Sequence, residues 1–136
     1  MNNLLTAIMG RTTGSALSID VGGRIYLDEA PENVDFPYVV FFIVVGTPDR
    51  TFTEHYTNTL IQFSLFSDST SGTEITTMYH DLIDLYDEYA LTVTDSTLLW
   101  IRESNLTTMV DEITTQGGAV SVKHWAVEFE VLTSLQ

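Results

Sequence analysis

The chain has no cysteine, which excludes a disulfide framework, a thiolate metal site and a cysteine nucleophile, and fits a reducing compartment. Basic residues are also scarce. Five Lys and Arg face 19 Asp and Glu, for a net charge of −14 at pH 7 and a pI near 4.1. Sequence-independent grip on nucleic acid depends on Lys and Arg displacing condensed counterions, so this composition argues against it. An acidic wall would instead let a polyanion slide past; the plainer reading is a soluble protein with an acidic surface. Long apolar runs are missing too. The most apolar stretch, Phe36 to Gly46, is about half the roughly 20 residues of a membrane-spanning helix. Its β-branched and aromatic content reads as a buried strand. The amino terminus, MNNLLTAIMG, lacks the basic start of a signal peptide, so neither secretion nor a membrane partner is expected.

What is present is the material of a core. Hydrophobic residues make up 44% and aromatics 11% of 136 residues, enough for one domain over 1–136 that needs no covalent or metal staple. Leu4, Leu5, Ile8 and Met9 have helical spacing and predict a short amino-terminal helix, interrupted by GRTTGSA at 10–16. Arg24 to Leu27 reads as a short strand closed by Pro31, and Phe36 to Val45 as a strand apolar on both faces, of the kind covered by a helix or another subunit. GTPDR, 46–50, reads as a turn. Thr59 to Phe66 alternates as a strand and completes a hairpin with the preceding run. Further on, LTV and TLLWIRE read as strands around TDS, and 104–118 as a strand continuing into a mobile loop. In the last strand Trp125, Val127, Phe129 and Val131 share one face.

The clearest helix is predicted over Thr73–Tyr89, about 25 Å at 1.5 Å per residue. Ile75, Met78, Tyr79, Leu82, Ile83 and Tyr86 form its apolar stripe. Ser71 followed by Glu74 matches a capping box. Asp81, Asp84, Asp87 and Glu88 lie opposite, towards the carboxyl end, where the helix dipole disfavours them. The order α-β-β-β-α-β-β-β predicts an α+β fold: a mostly antiparallel sheet with one long amphipathic helix packed on one face and a short amino-terminal helix.

Signals of chemistry are weak. His55, His80 and His124 fall on different predicted elements with no ligand partner at metal spacing. DSTSGTE has no phosphate-loop pattern and no lysine, and no stretch has the alternating oxygen ligands of a calcium loop. No enzyme, cofactor or metal site is expected. The few cations are more informative. In a self-associating acidic protein, Arg50 and Arg102 could meet carboxylates of a neighbouring copy; the bland alternative, preferred for Arg11, is a weak exposed pair within the chain.

Taken in order, GGRIYLDEAPENVDFPYVVFFIV, TLIQFSLFSDSTSGTEITTMYHDLIDLYDE, LLWIRE and HWAVEFEVL resemble the tail-completion proteins of long-tailed bacteriophages, also called tail terminators. The likeness runs from Gly22 to Leu132. It implies a virion protein that closes into a homo-oligomeric ring, typically of six copies. Such a ring caps the tail-tube protein, stops its polymerisation and joins the head–tail connector or stopper while DNA passes through the lumen, with assembly in the host cytoplasm. GRTTGSA and residues 104–119 depart from the family's pattern. In such a ring, Asp81, Asp84, Asp87 and Glu88 become candidates for an acidic lumen or rim. Arg50, Arg102, Gly117 and Gly118 become candidate contacts with neighbouring subunits or partners. Two rivals remain: a head-completion or connector protein of similar fold, and a non-viral soluble binding module.

Overall fold

Alternation of apolar residues decides the architecture. The computed structural model describes residues 2–50, 55–115 and 118–135. Its elements are α1 (Asn2–Thr12), α2 (Ala16–Asp20), β1 (Ile25–Leu27), β2 (Tyr38–Arg50), β3 (His55–Ser67), α3 (Thr73–Tyr86), β4 (Ser96–Thr115) and β5 (Gly118–Leu135). One sheet of order β1-β2-β3-β5-β4 holds all five strands. β1 runs parallel to β2, and the other three pairings are antiparallel. Two long hairpins, β2–β3 and β4–β5, are therefore zipped together by β3 against β5.

Every second strand residue points to the same face. Phe41, Phe63 and Val127 lie in register across three strands, flanked by Val39, Ile61, Leu65, Phe129 and Val131, all within one buried cluster. Phe41 stacks on Phe63 with centroids 5.3 Å apart, and Phe129 meets Phe63 edge-on at 5.6 Å. Full burial of such a side chain stabilises by about 1.5–3 kcal/mol. The helices cover this face. Ile75, Met78, Leu82, Leu85 and Tyr86 of α3 are buried, with Tyr79 and Ile83 packed beside them. Leu4 and Ile8 of α1 and Leu17 of α2 complete the core. The Tyr86 hydroxyl donates to the Ile8 carbonyl at 2.6 Å, tying α3 to α1.

Several expectations change. The sheet is mostly antiparallel and a short amino-terminal helix is present, but no long helix dominates: the three helices have 11, 5 and 14 residues. The predicted helix over 73–89 ends at Tyr86. Asp87 turns to extended backbone, φ −63° and ψ 123°, and Glu88 adopts φ 57°. The capping box is not made. Gly72 occupies the N-cap without a side-chain bond; Glu74 accepts instead from the Ser67 hydroxyl at 2.6 Å, and Ser71 Oγ accepts from the Thr73 N–H at 3.2 Å. GRTTGSA does not break α1 at its start. The helix runs through Gly10 and Arg11 to Thr12, Gly14 turns the chain at φ 72°, and Ser15 caps α2 by accepting from the Ser18 N–H at 3.1 Å. GTPDR is strand, not turn, because β2 and β3 pair as far as Arg50 opposite His55. LTV is not a strand; Leu91 and Val93 are buried plugs. The expected mobile loop in 104–118 is ordered ladder at least to Thr115 and again from Gly118. Gln116 and Gly117 lie outside the described residues.

Candidate interaction surfaces

The acidic residues around the end of α3 do not share one outward stripe. Asp81 is half-buried and hydrogen-bonds the carboxyl of Asp20 at the end of α2. Burial first, then that bond and the Asp81 charge, push the Asp20 pKa up to about 7. Asp87 is used internally, its Oδ1 accepting from the Glu103 N–H at 2.9 Å. Asp84 is exposed and borders a hollow shared with Arg11 and Ser15. Glu88 is exposed but lies past the helix, where its N–H donates to the Ile101 carbonyl at 2.8 Å. Tyr79, on the same helix, donates to Glu103 at 2.5 Å. Its pKa is pushed up to about 12 by burial, then by that bond and the Glu103 and Asp87 charges.

The opposite face of the sheet carries no helix from the described residues. Alternation puts an aromatic row there, with Phe36 on Tyr38 at 5.3 Å, Tyr38 on Phe66 at 4.7 Å, and Phe66 on His124 at 4.3 Å. His124 Nδ1 stands 3.5 Å from Asp111 Oδ2. Beside the row is an open groove of about 480 Å³ bordered by Asp28, Pro31 and Phe42.

The two margins of the sheet are more informative. β1 stops at Leu27, opposite Phe41, so no described strand lies outside β2 from Phe42 to Arg50. A bulge falls at Val44, and Pro48 lacks an N–H. Val44 and Val45 are nearly half exposed. Next to this margin, Leu27, Leu5 and Met9 line an apolar hollow of about 480 Å³. On the far margin, the bonds from Asp87 and Glu88 close the β4 edge at Ile101 and Glu103. Past the bulge at Ser104, no backbone partner among the described residues closes it. There Val110 is 68% exposed and Met109 37%. The final five residues of β4, Asp111–Thr115, pair only with Gly118–Val122, because β3 ends at Ser67 opposite Lys123. They form an arm about 16 Å long.

None of the described cations makes an intrachain carboxylate ion pair with a described residue, so the weak pair expected for Arg11 is not formed. Arg11 donates to the Leu85 carbonyl and lies 3.6 Å over the Tyr89 ring. Arg24 donates to the carbonyls of Phe36 and Pro37, and Lys123 to that of Ser69. Arg102 lies 3.8 Å over the Trp100 ring, opposite Glu130 in register. Arg50 is exposed at the end of β2. Of the two candidate glycines, Gly118 opens β5 opposite Thr115, and Gly117 lies outside the described residues. The three histidines do not converge. His55 borders a cavity of about 230 Å³ with Asp95 and Thr133, His80 is exposed on α3, and His124 sits in the aromatic row. Among the described residues, no cluster of three potential metal ligands occurs, and no helix is long and apolar enough to cross a membrane.

Met109 and Val110 lie in the run 104–118 that the sequence predicts as a strand continuing into a loop, and Leu27 at the end of the predicted strand Arg24 to Leu27. The signal for Val110 was an apolar pair inside a polar run, TTMVDE. Leu27 gave none, since only the early end of β1 leaves it bare.

No protein-family model and no curated protein matches the sequence. Solved structures do share the fold. A chain of the virion of a native gene transfer agent particle superposes with TM-score 0.70 and 12% identity, over 92% of this chain and 90% of that one. A second solved chain matches with TM-score 0.53 and 10% identity, over 96% and 94%.

Proposed function

We propose that this chain is a structural protein of a phage-type virion, and within it a tail terminator. It forms a ring that caps the tail tube, stops tube growth and gives the head connector a surface to join, without making or breaking a covalent bond. The observation that carries the virion reading is the fold shared with the gene transfer agent virion over nine-tenths of both chains. The finer role rests on the sequence resemblance to tail-completion proteins and on the two uncovered margins of the sheet. Such margins leave backbone N–H and C=O groups for a partner strand, and a head-to-tail contact between different margins closes into a ring when the rotation allows.

Acidic copies suit a passage for DNA, because a wall in which carboxylates far outnumber cations has little to hold phosphate. Of the four candidate carboxylates, Asp84 and Glu88 are the ones free to face a lumen in this reading, since both are exposed. Asp81 and Asp87 serve the fold.

The test is addition of purified protein to growing tail tubes, read by electron microscopy. Tubes should stop at a defined length with extra density at one end and should then accept connectors. Tubes of unrestrained length in saturating protein would exclude the terminator role. Capped heads without any effect on tubes would move the chain to a head-completion or connector role.

A further inference from the structure

We propose that the open β4 edge leading up to Val110 in one copy adds as an extra strand to β2 of the next copy, in the stretch past β1, seating Val110 in the hollow between Leu5, Met9 and Leu27. The inference rests on the ring reading above and names its contact.

Four observations converge on this pairing. First, donor and acceptor lie on opposite margins of one sheet, so a contact between them is head-to-tail and uses up both edges. Second, the strand sense is right. β2 runs against β3, β3 against β5 and β5 against β4, so β4 opposes β2 and a sheet continued into the next copy pairs them antiparallel. That is the better-bonded arrangement.

Third, the faces agree. Val110 pairs with Lys123, whose ammonium reaches Ser69 on the helix-covered side. Leu27 pairs with Phe41 of the core on that same side. A continued sheet therefore turns Val110 towards α1 and Leu27, and turns Met109 towards Val45 on the aromatic side. Fourth, the apolar content matches. Val110 is the more exposed of the two apolar residues at the base of the arm, at 68%, and the hollow is lined by Leu5, Met9 and Leu27 with little polar surface. Burying an exposed valine there supplies part of the association energy. The bulge at Val44 and the missing N–H of Pro48 keep the added ladder short. Its register is then set by the side chain in the hollow rather than by strand length.

The absence of cysteine permits a direct test in the full chain. A Val110→Cys, Leu27→Cys double variant is oxidised mildly and run on a non-reducing gel beside a Val110→Cys, Leu99→Cys control, with native mass measured in parallel. The expected result is a ladder of disulfide-linked copies in the first variant and none in the control. A ring without cross-links, or with equal cross-linking in the control, overturns this contact and leaves the ring reading standing. Cross-linked open chains that never close support the contact and remove the ring. A persistent monomer without cross-links overturns the inference. As a second readout, Val110→Asp should melt as the parent does, since the residue is exposed within its own chain, while association weakens at least about tenfold. Unchanged association in that variant would overturn the proposal.

Discussion

Asp20 and Asp81 bring two carboxyl groups into hydrogen-bond contact across the junction of α2 and α3. Two carboxylates cannot share such a bond unless one keeps its proton. Burial and the neighbouring charge hold that proton on Asp20 up to a pH of about 7, against 3.8 for an ordinary aspartate. The folded protein thus binds it more tightly than the unfolded chain does. The linked stability is fully present below the unfolded value and is lost as pH rises through about 7. Asp20→Asn keeps the shape and removes the titration. Its melting temperature should change less than the parent's between pH 4 and 8, with the gain over the parent largest at pH 8. Parallel curves for the two proteins would show that the pair does not titrate in this range.

The Tyr86 hydroxyl makes a buried polar bond between α3 and α1. Tyr86→Phe keeps the ring contacts with Phe63 and Phe129 but leaves the Ile8 carbonyl short of one donor. The expected loss is about 1 kcal/mol, seen as a lower urea midpoint at unchanged slope. A loss above about 3 kcal/mol would mean that the ring itself had shifted.

The inward faces of β3 and β5 were legible because period-two alternation at Phe63 and Phe129 depends only on which residues are apolar, whereas the order of strands in the sheet depends on long-range pairing. The stripe Ile75, Met78, Leu82, Tyr86 was legible for the same reason at helical period. The helix end was not. No glycine or proline marks it, and α3 stops because Asp87 finds the Glu103 N–H on a strand distant in sequence. Residues 46–50 looked like a turn because Gly46, Pro48 and Asp49 favour turns locally, yet pairing with β3 carries the strand through them. The acidic stripe failed in the same way. Asp81 and Asp87 resemble Asp84 in sequence and differ only in tertiary partners, which periodicity cannot report.

That difference can be measured. Asp87→Ala leaves the Glu103 N–H without its acceptor and should cost about 1–2 kcal/mol in denaturant unfolding. Asp84→Ala, on an exposed turn of the same helix, should stay within about 0.5 kcal/mol of the parent. Equal costs would mean that the Asp87 bond contributes nothing net.

Self-association of a chain with net charge −14 sets repulsion between copies against apolar burial. Where contacts are made by Val110, Leu27 and backbone groups, salt has little attraction to screen and much repulsion. Raising ionic strength from about 0.1 M to 1 M shortens the Debye length from about 10 Å to about 3 Å, so the proposed ring should become tighter. Light scattering after size exclusion at the two salt concentrations reports this as a shift towards the assembled mass. If Arg50 and Arg102 instead held the copies together through neighbouring carboxylates, the shift would run the other way. Neutralising them as Arg50→Gln and Arg102→Gln would then abolish it. Burial as the driving force requires that these two variants assemble like the parent and that Val110→Asp does not.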